Sequence, residues 1–134
     1  MTAAVDAVAA ERLGHEIVAA IADRDWSRFA ACLAPDVTFR AVVPSRAEPF
    51  REHVGPDAAA AQMARWFDGG EAYDLIDSTV EMVADRLHVG YRATGVDDGT
   101  WYLVEQHLVA TVADGRAIYV NLLCTGFRDI PTPD

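Results

Sequence analysis

Residues 101–127, WYLVEQHLVATVADGRAIYVNLLCTGF, constrain the fold more than any other part of the chain, because two long apolar runs meet at Asp114-Gly115. A two-residue Asp-Gly loop closes an antiparallel hairpin in the primed turn types, where both central residues take positive φ. That turn pairs Ala113 with Arg116 and sets the register behind it. Counted back without interruption, alternation places Leu103, Glu105 and His107 on one face with Val120, Leu122 and Cys124. Tyr119 and Asn121 fall on the other face. A carboxylate and an imidazole then look into an apolar lining, and the chemistry of the chain is expected there.

The rest of the pattern supplies the partners of this hairpin. Ala10, Leu13, Ile17, Ala20 and Ile21 recur at helical spacing over residues 8–23, with charged residues on the remaining face. Asp25 has the character of an N-cap for a short second helix, Trp26 to Leu33, and Pro35-Asp36 then breaks the chain before the strand VTFRAVV. Pro44 and Pro49 bracket a loop. Gly55-Pro56-Asp57 starts a third helix rich in alanine, and Gly69-Gly70 stops it. From Asp74 onward the spacing is that of strands, punctuated at residues 84–86, 95–99 and 114–115. The expected order is helix, helix, strand, helix, then four strands. This is an α+β chain whose three N-terminal helices pack on a strongly curved, largely antiparallel sheet.

Composition narrows the partners. With 134 residues and 51% hydrophobic content, the chain suits one domain over 1–134, ordered from about residue 8 to 128 with frayed ends. Eleven Lys and Arg against 21 Asp and Glu argue against nucleic acid and against an anionic membrane surface. The first dozen residues carry Asp6 and Glu11 and no basic leader, and no apolar run reaches the roughly 18 residues of a membrane span, so a cytoplasmic location is expected. Cys32 and Cys124 sit in apolar surroundings without metal-ligand spacing and read as free thiols. No Gly-rich phosphate cradle or metal loop is visible, so neither cofactor nor metal is expected.

Asp25-Trp26 after the first helix, Pro35-Asp36-Val37 at the first strand, Gly55 before the third helix and Asp114-Gly115-Arg116 in the last hairpin together resemble the nuclear transport factor 2-like superfamily, with its cystatin-like fold. The resemblance spans roughly residues 8–128 and implies a cone with an internal pocket. That superfamily includes SnoaL-like polyketide cyclases, ketosteroid isomerase, scytalone dehydratase, limonene epoxide hydrolase and non-catalytic binding modules, so fold is implied far more specifically than activity. Laid on ketosteroid isomerase, the general-base position falls on Ala41 and the oxyanion-hole tyrosine on Ile17, so isomerisation by that route is not implied. The second oxyanion donor falls on His107 and a pocket position on Glu105. In that enzyme the donor is a carboxylic acid kept neutral by its apolar site. The aspartate-arginine-aspartate arrangement of the epoxide hydrolases is not visible.

These readings converge on a hydrophobic small molecule, polyketide-, terpenoid- or steroid-like, and on cofactor-independent proton transfer: cyclisation, dehydration or isomerisation. His107 is the expected proton-transfer residue, and Glu105 holds its tautomer and raises its basicity. Arg92, on a face with His88, is a candidate partner for an anionic or carbonyl group. Ile17, Met63, Leu103, Val120, Leu122 and Cys124 are the expected apolar walls. Against this stand a structural reading in which Glu105 and His107 simply satisfy one another or a neighbouring strand's polar group, and a different register that turns both toward solvent or a partner. His53 is expected in a loop near the pocket mouth. Met63, Trp66 and Phe67 form a helical stripe suited to core, and Cys124 is a weaker candidate nucleophile. The rival function is a non-catalytic binding or interaction module, dimeric through the outer sheet face that carries Tyr119 and Asn121.

Overall fold

The structure, a computed structural model, describes residues 6–44 and 49–133. Helix α1 (Ala7–Asp23) begins at Asp6, whose carboxylate accepts from the Val8 and Ala9 amides at 3.1 Å. It ends at Arg24, which takes the left-handed conformation and returns its N–H to the Ala20 and Ile21 carbonyls. Asp25 caps α2 (Trp26–Ala31), as expected, and Pro56 opens α3 (Pro56–Phe67). All five apolar positions picked from the α1 periodicity are buried, together with Gly14.

The strands are β1 (Leu33–Val42), β2 (Phe50–Val54), β3 (Ala72–Val83), β4 (Arg86–Asp97), β5 (Thr100–Ala113), β6 (Arg116–Cys124) and β7 (Arg128–Asp129). They form one sheet in the order β2-β1-β6-β5-β4-β3, with β7 on β5. All pairings are antiparallel except β1 with β6. The sheet curls without closing, and the helices cover its inner face. Two expectations need correction. Pro35-Asp36 does not precede the first strand but lies within it, where the β1–β6 register jumps between Leu33 and Thr38. The segment after Pro49, read as loop, forms the edge strand β2 against β1. An edge strand leaves one backbone edge unpaired, and the side chains of β2 are exposed or half-buried, so its sequence needs no buried apolar face.

The core runs from α1 and α3 onto the inner face: Ile17, Ile21, Phe29, Phe39, Met63 and Phe67 are all essentially inaccessible. Burying each such side chain contributes about 1.5–3 kcal/mol. Gly14 is a point of close approach between α1 and the sheet. A Cβ there would lie 2.5 Å from Val80 Cγ1 and 3.2 Å from Leu87 Cδ1. Gly14→Ala is therefore expected to destabilise the fold by about 1–3 kcal/mol despite alanine's better helix propensity. Urea denaturation would show this as a lowered midpoint with unchanged slope.

Candidate functional site

The turn at Asp114-Gly115 forms as expected, with both residues at positive φ and Ala113 opposite Arg116. The register then shifts. Val112 pairs with Ala117, but Thr111 pairs with Tyr119, so Ile118 is an extra residue in β6. Such a β-bulge moves every later pair by one, and one step flips each side chain to the opposite face. His107 consequently lies opposite Leu123, while Leu122 lies opposite Leu108 and Cys124 opposite Gln106. The expectation that Glu105 and His107 share a face with Val120, Leu122 and Cys124 is overturned.

The sheet thus separates the proposed polar groups from most of their proposed walls. Ile17, Met63, Val120 and Leu122 are buried on the inner side, and Cys124 is partly buried there. Ala41 and Ile17 are likewise core residues. Leu103, Glu105 and His107 are half-buried on the outer face, so Leu103 is not a wall of the interior. The β5 burial pattern alternates strictly, with Tyr102, Val104, Gln106, Leu108 and Ala110 inward.

On the outer face His107, Glu105 and Arg92 do come together, along a groove of about 390 Å³ over strands β3 to β6. Gly90 forms its floor. A Cβ at Gly90 would lie 3.0 Å from Thr79 Oγ1 and 3.1 Å from His107 Nδ1. The partner of His107 is not Glu105 but His88: Nδ1 of His88 lies 3.0 Å from Nε2 of His107, one ring donating to the other. Arg92 is already engaged by Asp77, with Nε 3.0 Å from Oδ1 and Nη2 2.5 Å from Oδ2. Those bonds hold the Asp77 carboxyl below its ordinary value. Glu105 faces Arg128 at 3.7 Å.

Inside, sequence reasoning missed the polar residues. Strands β4, β5 and β6 turn Tyr91, Tyr102, Gln106 and Cys124 inward among aliphatic neighbours. The Tyr91 hydroxyl donates to Gln106 Oε1 at 2.5 Å, and Gln106 Nε2 donates to Cys124 Sγ at 3.5 Å. Burial, with lesser contributions from Tyr73 and Cys124, pushes the Tyr91 phenol well above its ordinary value, so it stays a neutral donor. Tyr73 lies nearby and donates to the Ile21 carbonyl. His53 is on strand β2 rather than in a loop, opposite Phe39, with Nε2 3.0 Å from Gln62 Oε1. Cys32 and Cys124 are free thiols, and burial pushes the Cys32 thiol up to about 11. Arg40 points outward to the Tyr119 hydroxyl and Glu52. Among the described residues no three His, Cys, Asp or Glu side chains converge as a metal ion requires, and no helix is long and apolar enough to cross a membrane.

His107 titrates below its ordinary value, first because burial disfavours the imidazolium and then because His88 is adjacent, with Glu81 opposing. The unfolded chain takes up this proton near about pH 6.5, whereas the folded chain resists it. The contribution to stability is therefore complete above that pH and is lost as pH falls through the lowered folded value. Denaturation between about pH 7.5 and 5.5 should show a smaller acid-side loss for His107→Gln than for the wild type.

Comparison with known proteins places this geometry. The SnoaL-like domain family matches residues 15–120. A search of curated protein sequences gives no match. Among solved structures, a candidate polyketide cyclase of Xanthomonas campestris pv. campestris is 22% identical, with TM-score 0.69 over 87% of this chain and 90% of the other. Bal32a, from a soil-derived mobile gene cassette, is 19% identical, with TM-score 0.73 over 88% and 90%. An LEH-like epoxide hydrolase of M. tuberculosis is 14% identical, with TM-score 0.65 over 89% and 84%. Likenesses this distant carry the fold alone. The family match, spanning most of the chain and agreeing with the curled sheet and its three helices, shows that this chain belongs to the SnoaL-like domain family, within the nuclear transport factor 2-like superfamily.

Proposed function

We propose that the protein binds a hydrophobic small molecule bearing a carbonyl or hydroxyl group inside the cone, and acts as a binding protein rather than a base catalyst. The observation that carries this reading is the inward set Tyr91, Gln106 and Cys124, a row of polar groups on three adjacent strands within an otherwise apolar lining. Apolar walls with a few convergent polar groups suit recognition of a mostly hydrophobic ligand. Tyr91 donates into Gln106, which leaves the Gln106 amide N–H, now spent on a weak sulfur acceptor, to serve a ligand oxygen. None of these three side chains is an ordinary general base at neutral pH, and the reading needs no cofactor.

A second reading, proton transfer by His107, is favoured by one observation. The His107 ring is held neutral by burial and His88 in a groove large enough for a small ligand. The homodimer expected through the outer sheet face bears against it. Phe50, Val42, Leu123, His107, Gly90 and Thr79 are consecutive partners in one row across six strands. The first three are apolar and exposed, with Leu123 at 55%. A self-association that covers this apolar stripe would also cover the groove beside it.

A ligand panel of aromatic polyketide, terpenoid and steroid-like ketones, followed by calorimetric titration, separates the readings. Gln106→Leu is expected to weaken binding by about 2- to 10-fold, the worth of one neutral hydrogen bond. His107→Gln should leave binding unchanged; loss of binding or turnover in that variant, with Gln106→Leu unaffected, would favour the outer groove. Sedimentation of Leu123→Glu tests the dimer, which should dissociate while the wild type remains associated.

A further inference from the structure

The end of the cone between the C-terminus of α3 and the β4–β5 hairpin is closed by the chain that follows β6. Thr125 anchors this segment: its N–H donates to the Glu105 carbonyl at 2.9 Å, and its hydroxyl oxygen accepts from the Glu105 N–H at 3.1 Å. Gly126 then turns the chain at φ +88°, a conformation that favours glycine. Beyond it, β7 contributes only two residue pairs with β5, and the Ile130 N–H adds one bond to the Trp101 carbonyl. Phe127 lies on the arc between these anchorages. Its ring centroid is 5.8 Å from that of Phe67 and 5.1 Å from that of Tyr102, yet 38% of the residue remains exposed.

On the solvent side of Phe127 is a pocket of about 410 Å³ whose walls include Trp66, Tyr102 and Phe127 itself. On the inner side, Phe67 leads to Tyr73, 5.7 Å away between ring centroids, whose hydroxyl donates to the Ile21 carbonyl of α1. The segment is also tied to the polar cluster directly. The Gly126 N–H donates to Cys124 Sγ at 3.4 Å, the same sulfur that accepts from Gln106. Movement about Gly126 would carry the Phe127 ring away from Phe67 and Tyr102, while the Gly126 N–H stays on Cys124 because Thr125 anchors the preceding peptide.

We infer that Phe127 is the gate of the cone interior, carried by a strap of residues 126–130 that swings about Gly126, and that the ligand is a flat aromatic or conjugated ring replacing the Phe127 ring between Phe67 and Tyr102. This rests on the interior-binding reading above. Anchorage on both sides of a single turn, with only a short pairing beyond it, confines the motion to a few residues. The two aromatic rings that Phe127 leaves behind, tilted against it at 56° and 57°, favour another aromatic ring over an aliphatic chain.

The test is stopped-flow binding of Nile red, a neutral planar fluorophore, to the full chain and its variants. Because a required opening step slows association, Phe127→Ala should bind about tenfold faster than wild type or more, and Phe127→Trp more slowly. The Ile130 amide should lose hydrogen-exchange protection when the probe is bound. Equal association rates in wild type, Phe127→Ala and Phe127→Trp would overturn the gate while leaving interior binding intact. Binding that survives Gln106→Trp, which fills the interior, or that is absent from wild type and Phe127→Ala alike, would overturn the interior reading and the gate with it. If Phe127→Ala does not fold, Phe127→Trp and Ile130 exchange decide: an unchanged rate with unchanged protection overturns the gate.

Discussion

The phase of β5 against β6 governs what the cone encloses, and a single unpaired residue, Ile118, sets that phase. Without it, Leu108 and Ala110 would lie outward, and Glu105 and His107 would lie among Val120, Leu122 and Cys124. The cost can be sized. Exposing one leucine forfeits about 1.5–3 kcal/mol. Desolvating an unpaired carboxylate costs several kcal/mol more. A bulge sacrifices one ladder pair and leaves Ile118 at the surface with 39% exposure, a smaller penalty than either. The irregularity of β1 around Pro35-Asp36 falls on the other side of the same strand, so β6 carries its adjustments to both neighbours within a few residues.

From that phase follow two sheet faces with different chemistry. Inward, neutral hydrogen-bonding groups line up across β4, β5 and β6 and satisfy one another, as buried polar groups must. Outward, the titratable groups meet as cross-strand neighbours: Asp77 with Arg92, and His88 with His107. Strongly hydrated charges stay within reach of water, while the interior keeps an uncharged, mutually bonded set. The strap after β6 continues along β5 and closes the inner side where the helices leave it open.

Much of this was legible in the sequence, and the failures have physical causes. The periodicity of α1, the Asp25 cap, Pro56 at the start of α3 and the Asp114-Gly115 turn are local signals, and each element forms where they point. The edge strand Phe50–Val54 is short and solvated, and carries no such signal. The facing of Glu105 and His107 depended on an uninterrupted ladder, and a bulge is invisible to alternation counted from a turn. The clue lay in the conflict between two strands. Within β5 the apolar set Tyr102, Val104, Leu108 and Ala110 favours one face, whereas the hairpin register assigns Val120 and Leu122 to the other, and only an extra residue reconciles them. Reading that conflict would also have singled out Gln106 and Tyr91. The packing of Phe127 on Phe67 and Tyr102 was beyond reach, because it depends on where the chain runs after a glycine.

The most direct test of this arrangement is the nuclear Overhauser spectrum of the assigned, isotope-labelled protein, read at the His107 ring. The bulged register predicts contacts from the ring protons to Leu123 and Thr79 and none to the methyls of Leu122 or Val120. Strong contacts to Leu122 and Val120 would mean that the ladder runs uninterrupted, that His107 faces the interior, and that the division between an uncharged inside and a titratable outside is wrong.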